Sequence, residues 1–209
     1  YKPDYIFAST NKLSRFEHYL PETNIRNFTL LKSVQKSIVV LHPDLTLLLS
    51  TSGTTGSPKL VRLSYKNLIE NASSIAEYLN LNSSEVAITS LPMNYSFGLS
   101  IINSHLFAGA SIIMTNQSIT QRPFWDLFRK FNVTSLSGVP YTFEILKKFR
   151  LLNFELPSLK TLTQAGGKLS NELIEYYTQF STKKGINFFV MYGQTEGTAR
   201  LSYLEPEFI

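Results

Sequence analysis

The residues of this chain able to do chemistry gather in a few short stretches. The first runs from Ser50 to Ser57, where every residue is Ser, Thr or Gly, and it is followed by Pro58 and Lys59. Small residues let the backbone approach a ligand, glycine lets consecutive N–H groups point into one concavity, hydroxyls add donors, and a lysine adds a point charge. From Leu45 through Ile69 there is no Asp or Glu, whereas Lys59, Arg62 and Lys66 are present. Donors without opposing carboxylates suit a polyphosphate. Composition alone leaves a Ser/Thr/Gly-rich surface turn equally open. The Walker A loop is excluded, because Gly53 and Gly56 stand three apart and Pro58 precedes Lys59.

Two later stretches could complete a site. Gly166-Gly167 follows an apolar run that ends in Gln164-Ala165, and Tyr192-Gly193-Gln194-Thr195-Glu196 follows another. Taken alone, Glu196 reads as a solvated surface glutamate. Covalent chemistry is poorly served: there is no cysteine and no Gly-x-Ser-x-Gly elbow. The three histidines, His18, His42 and His105, are too far apart in sequence to suggest a histidine-rich metal site. Lys and Arg exceed Asp and Glu by 20 to 15 with no basic run of five or more, which argues against a nucleic-acid partner. No apolar run approaches about 18 residues, so no membrane span is expected. The absence of cysteine fits a reducing compartment, and a cytoplasmic location is expected.

These stretches need elements to position them. With 43% hydrophobic and 13% aromatic residues among 209, the chain can bury the core of one large domain or two small ones. Short apolar runs predict strands at Tyr5–Ala8, Ser37–Leu41, Leu45–Ser50, Leu60–Leu63, Val86–Ser90, Ser111–Met114, Val133–Ser137, Thr161–Gln164 and Phe188–Met191. Helical spacing follows Ser64 (Leu68, Ala72, Ile75, Leu79) and Ser170 (Leu173, Ile174, Tyr177, Phe180). Phe124, Leu127, Phe128 and Phe131 after Pro123, and Phe143, Leu146 and Phe149 after Pro140, mark two more helices. From Val86 onward strands and helices alternate, which requires parallel strands with helices on both faces. The expected fold is α/β, a doubly wound, mainly parallel sheet flanked by helices. Residues 1–85 are read as a phosphate-loop-bearing segment of the same lobe and 86–209 as a parallel α/β subdomain. Ligands of such sheets bind at the carboxyl ends of strands, so the loops after Ser90, Ser137, Gln164 and Met191 matter most.

The ordered run Thr51-Ser52-Gly53-Thr54-Thr55-Gly56-Ser57-Pro58-Lys59, followed by Val61 and Ser64-x-x-Asn67-Leu68, resembles the signature loop of the adenylate-forming superfamily: acyl-CoA synthetases, aryl-acid ligases, luciferases and peptide-synthetase adenylation domains. Leu91-Pro92-Met93-Asn94-Tyr95-Ser96-Phe97-Gly98 is similar to that family's Leu-Pro-x-x-His-x-x-Gly segment, with Tyr95 where acyl-CoA synthetases usually carry histidine. Gln164-Ala165-Gly166-Gly167-Lys168-Leu169 and Met191-Tyr192-Gly193-Gln194-Thr195-Glu196 resemble its Gly-Gly-x-x-Leu turn and Tyr-Gly-x-Thr-Glu motif.

The resemblance implies attack of a carboxylate on the α-phosphorus of ATP, giving an acyl-adenylate and pyrophosphate, then transfer to a thiol, coenzyme A or a carrier-protein phosphopantetheine. It assigns Thr51–Gly56 and Lys59 to the phosphates, Tyr192 to stacking on adenine, Thr195 to a phosphate and Glu196 to Mg²⁺. Gly166 and Gly167 would flank the adenine, with Gly193 and Gln194 beside it. The acyl pocket would be lined by the loops holding Tyr95, Ser96 and Gly98, and Gly138, with Ala165. Amino-acid-activating relatives usually place an Asp just after the aromatic residue of the 91–98 segment, yet this segment holds no acid. A buried ammonium without a partner is costly, so an uncharged acyl or aryl acid is favoured.

Relatives carry a sizeable segment before the phosphate loop, where only about 50 residues stand here, and continue past the Thr-Glu motif to a ribose-binding aspartate and a mobile C-terminal domain. The chain is therefore expected to be the central piece of a large N-terminal domain, inactive without that C-terminal domain and prone to self-association. Besides the acid–thiol ligase reading, two others stay open: an adenylation domain loading a carrier protein, and a non-catalytic nucleotide-binding or interaction module.

Overall fold

The computed structural model describes residues 3–35, 40–51, 59–150 and 155–209. Contacts divide the chain into two compact units, Tyr1–Pro43 and Asp44–Ile209. Residues 44–85 therefore group with 86–209 rather than with the amino-terminal segment, because the helix that follows the hairpin of 45–64 packs along the helix at 96–107.

The first unit is a three-stranded antiparallel sheet of β1 (Tyr5–Ser9), β2 (Tyr19–Ile25) and β3 (Phe28–Ser33), ordered β1-β3-β2. The β1 expectation holds, while β2 and β3 escaped sequence reading. Pro21 interrupts β2, and the pairing register shifts between Pro21 and Thr23; proline is tolerated there because β2 is an edge strand. The strand expected at Ser37–Leu41 falls mostly outside the described residues, and its last two positions are not strand.

The second unit opens with an antiparallel pair, β4 (Leu45–Thr51) and β5 (Lys59–Ser64), in which Thr51 faces Lys59. Helix α1 (Tyr65–Tyr78) starts immediately after Ser64. The Ser64 hydroxyl accepts from the Asn67 N–H and the Asn67 side chain accepts from the Ser64 N–H, a reciprocal cap on two otherwise orphaned donors. Then come β6 (Val86–Ile88), α2 (Ser96–Phe107), β7 (Ser111–Ile113), α3 (Arg122–Lys130), β8 (Ser135–Gly138), α4 (Pro140–Lys148), β9 (Thr161–Gln164), α5 (Asn171–Lys184), β10 (Asn187–Tyr192) and β11 (Ser202–Leu204).

Strands β6 to β11 form one sheet ordered β11-β10-β9-β8-β6-β7. Only β11 runs antiparallel, on the outer edge of β10. Adjacent strand residues serve opposite faces, the period of a strand buried on both sides. Ile88 and Phe188 join α3, α4 and α5 in one core with Phe124, Phe143 and Tyr177. Ala87 and Phe189 join α1 and α2 in the other with Ile75, Phe97 and Ile101. The chain passes from β6 to β7 on one side and then to β8 on the other, so the order reverses at β6. The crevice such a reversal opens lies at the strand carboxyl ends.

Candidate active site

At that end the loops after β6, β8, β9 and β10 converge. The Ser90 hydroxyl donates to the Ser137 carbonyl, joining the loop after β6 to the last turn of β8. Ser137 and Thr163 share a hydrogen bond of 2.7 Å between their hydroxyls. Gly138 closes β8 and is buried, and Ala165 is buried just past β9.

Tyr95 caps the start of α2, where Ser96, Phe97 and Gly98 are all buried in the first turn. Its hydroxyl reaches the glycine pair after β9. Gly166 has φ +81°, and a Cβ placed there would lie 2.4 Å from the Tyr95 hydroxyl. Only glycine satisfies both constraints. Burial pushes the Tyr95 phenol up, so it stays protonated. Beneath this turn Gln164, wholly buried, donates through Nε2 to the Gly167 carbonyl at 2.8 Å. Sequence reading placed Gln164 at the end of a strand and the start of the glycine-pair stretch without giving its side chain a role; a long amide closing an apolar run was the available signal.

Past β10 the chain folds back at once. A Cβ at Gly193 would stand 1.4 Å from the Ala199 carbonyl oxygen, so the return path exists only because residue 193 has no side chain. The N–H groups of Gly197 and Ala199 donate to the Gln194 carbonyl, both at 3.1 Å, and Leu201 N–H donates to the Tyr192 carbonyl at 2.9 Å. This ring of main-chain bonds holds Thr195, Glu196 and Gly197 as one 3-10 turn. Tyr192, at its base, is 61% exposed and offers a ring to a ligand.

Two contacts bring the separate stretches together. Thr195 Oγ1 lies 3.2 Å from Ser96 Oγ, which ties the Thr-Glu turn to the first residue of α2. Strand β5, which begins at Lys59, packs against the turn Thr195–Gly197. Lys59 and Glu196 are both exposed, and no ion pair joins them among the described residues. Ser52, Gly53, Thr54, Thr55 and Gly56 lie outside the described residues; their flanks, Thr51 and Lys59, are cross-strand neighbours beside the turn.

No group of three His, Cys, Asp or Glu able to cage a metal occurs among the described residues. The donors present fit a cation differently: one exposed carboxylate next to Thr195 in a turn held by main-chain bonds suits Mg²⁺ that takes its other ligands from phosphates and water. Arg200 and His105 were not singled out by sequence reading. Both are buried between the helices and the sheet, and His105 bridges Ile101 and Ser135.

Comparison with known proteins agrees with this arrangement. The AMP-binding enzyme family matches residues 11–207. Acyl-CoA synthetase ALT10 of Alternaria alternata is 32% identical over 160 residues, 75% of this chain and 27% of that protein. Luciferin 4-monooxygenase of Nipponoluciola cruciata is 29% identical over 168 residues, 78% of this chain and 30% of that protein. The solved structure of o-succinylbenzoate coenzyme A synthetase from Bacillus subtilis with ATP and magnesium ion matches with a TM-score of 0.66 at 25% identity, over 85% of this chain and 36% of that one. The chain thus spans well under half the length of the proteins it matches. With nearly all of its residues matched and the four resembling stretches lying in the expected order, the chain belongs to the AMP-binding enzyme family, the adenylate-forming superfamily.

Proposed function

We propose that this chain carries the nucleotide- and acid-binding part of an AMP-forming acid–thiol ligase. The observation that carries the reading is the Ser96–Thr195 hydroxyl contact, because it brings the acid-binding and phosphate-binding stretches together at the strand carboxyl ends. In the reaction a carboxylate oxygen bonds to the α-phosphorus of ATP as the bond from that phosphorus to the bridging oxygen breaks, and pyrophosphate leaves with the electron pair. A thiol then displaces AMP from the acyl carbon.

Two anions must be aligned, so the work of the protein is positioning and charge neutralisation. Lys59, at the end of the loop 51–59, meets the phosphate charge, and Tyr192 receives the adenine on its exposed ring. Gly166 and Gly167 expose backbone where the base and α-phosphate would pass. Thr195 orients a phosphate oxygen while Ser96 holds its hydroxyl in place, and Glu196 holds Mg²⁺. A cation held there by Glu196 would supply charge neutralisation for the phosphates. Tyr95, kept neutral, can donate a hydrogen bond but cannot act as a cation or a base. With no acid at 91–98 to receive an ammonium, the preferred substrate is an uncharged acyl or aryl acid. Coenzyme A is the favoured acceptor and phosphopantetheine the alternative.

The test is ATP–pyrophosphate exchange by the full-length gene product against fatty, aryl and amino acids. Exchange with one of the first two groups, abolished in Lys59→Ala, supports the reading. Exchange with amino acids alone would replace the substrate class, and silence across the panel with nucleotide still bound would favour a non-catalytic module.

A further inference from the structure

Beyond Glu196 the chain passes through two successive residues in the left-handed region, Thr198 at φ +60° and Ala199 at φ +86°. Neither is glycine, so both are strained, and such residues persist only where their surroundings hold them. The next residue supplies the hold. Arg200 is 7% exposed. Its Nε donates to Ser100 Oγ at 3.0 Å, its Nη1 donates to Tyr78 OH at 3.3 Å, and its guanidinium lies 5.0 Å from the centroid of the Phe97 ring. Its carbonyl accepts from Asn71 Nδ2 at 3.2 Å. One residue therefore fastens the end of the turn to α1, through Asn71 and Tyr78, and to α2, through Phe97 and Ser100.

The choice of arginine is the informative part. Among the described residues no carboxylate pairs with Arg200. An apolar side chain would fill the same space without burying an unneutralised charge. What an apolar side chain lacks is a planar fork of donors in fixed directions. We infer that Arg200 is a positioning residue: it clamps the strained turn onto α1 and α2 and so fixes Thr195 and Glu196 where phosphate and cation are to be held. The functional half of this inference rests on the reading of Glu196 given above; the mechanical half does not.

The experiment reads the two halves separately, in the full-length gene product with Arg200→Met and Arg200→Lys. Backbone amide exchange at Gly197, Thr198, Ala199 and Leu201 should accelerate about tenfold or more in Arg200→Met, with the amides of β9 and α5 within about twofold of the parent. Arg200→Lys, which keeps the charge and loses the fork, should accelerate the same amides to a smaller extent and serves if the Met variant does not fold. In ATP–pyrophosphate exchange the Mg²⁺ concentration at half-maximal rate should rise about tenfold while KM for the acid moves by less than about twofold. Unchanged turn amides overturn the clamp, and so does acceleration spread evenly over β9 and α5, which marks an ordinary packing residue. Accelerated turn amides with an unchanged Mg²⁺ requirement overturn the positioning role. Absence of exchange in the parent protein refutes the ligase reading, and the amide data still decide the clamp.

Discussion

Replacing Gly166 by Ala is the sharpest test of how the 91–98 and glycine-pair segments meet. The added methyl faces two independent obstacles. The backbone stands at φ +81°, where an L-residue costs about 1 kcal/mol relative to glycine. The methyl would also lie 2.4 Å from the Tyr95 hydroxyl and 3.0 Å from Val139 Cγ1. Tyr95 is half-buried at the head of α2 and cannot simply swing aside, so moving it adds about 1–2 kcal/mol of overpacking. Gly166→Ala should therefore destabilise by about 2–3 kcal/mol in total.

Tyr95→Phe removes the clashing oxygen and leaves the φ penalty and the milder 3.0 Å approach to Val139 Cγ1 intact. In that background Gly166→Ala should cost only about 1 kcal/mol, a coupling of about 1–2 kcal/mol between the two positions. Urea unfolding of the four proteins, compared at constant m-value, measures it. If Gly166→Ala costs the same in both backgrounds to within about 0.3 kcal/mol, the Tyr95 hydroxyl is not above Gly166 and the proposed convergence of the two segments is wrong.

Three further outcomes follow from the same geometry. His105 is buried, with Nδ1 donating to the Ile101 carbonyl, which obliges Nε2 to accept from Ser135. Burial, and then the charge of Arg200, outweigh the opposing pull of the Ile101 bond and Glu85 and hold the imidazole below its ordinary pKa. The unfolded chain therefore binds this proton first as pH falls. Stability should be complete above the unfolded value of about 6.5 and decline below it by at most about 1.4 kcal/mol per pH unit. Thermal melts between pH 7.5 and 5.5 should show that slope, flattened in His105→Gln; an equal slope in both excludes His105 as its source. Glu196→Gln alters an exposed side chain and should leave stability within about 0.5 kcal/mol. It should raise the Mg²⁺ requirement of ATP–pyrophosphate exchange, and an unaltered requirement would remove Glu196 from the cation site. Tyr192→Ala should raise KM for ATP by an amount equivalent to about 1–3 kcal/mol of lost base stacking, with the KM for the acid little changed. A matched rise in both constants would instead indicate a distorted turn.

How much of this could be read from the sequence depended on whether the information was local. The strands from β6 to β10 and the helices α1, α3, α4 and α5 carry apolar runs or one-sided stripes, and their positions followed from period alone. Helix α2 was inferred only from the alternation of elements. Its buried side includes Ser96, Ser100, Ser104 and His105 while Leu106 and Phe107 are exposed, so polarity does not separate its faces. Strand β11 was invisible because its three residues are all exposed, and β2 because proline interrupts it. The Thr195–Glu196 turn was legible through the resemblance of 191–196 to the family's Tyr-Gly-x-Thr-Glu motif, and the structure adds why a glycine stands at 193, where the chain doubles back.

Arg200 was hidden for the opposite reason. In isolation Thr-Ala-Arg-Leu reads as a surface stretch, and what buries the arginine is the meeting of Tyr78, Ser100 and Met191 from three different elements. A residue whose surroundings are assembled across more than a hundred positions leaves no periodic trace. This has a consequence for how the site tolerates change. The liganding groups proposed here sit on exposed loops and can be substituted at small cost to folding. The groups that shape the site around them are tightly packed, and at Gly166 a change in chemistry is also a change in packing against Tyr95. Activity should therefore be lost by two routes distinguishable in one measurement: Glu196 and Tyr192 variants lose ligand affinity with intact unfolding midpoints, whereas Gly166 variants lose affinity and stability together.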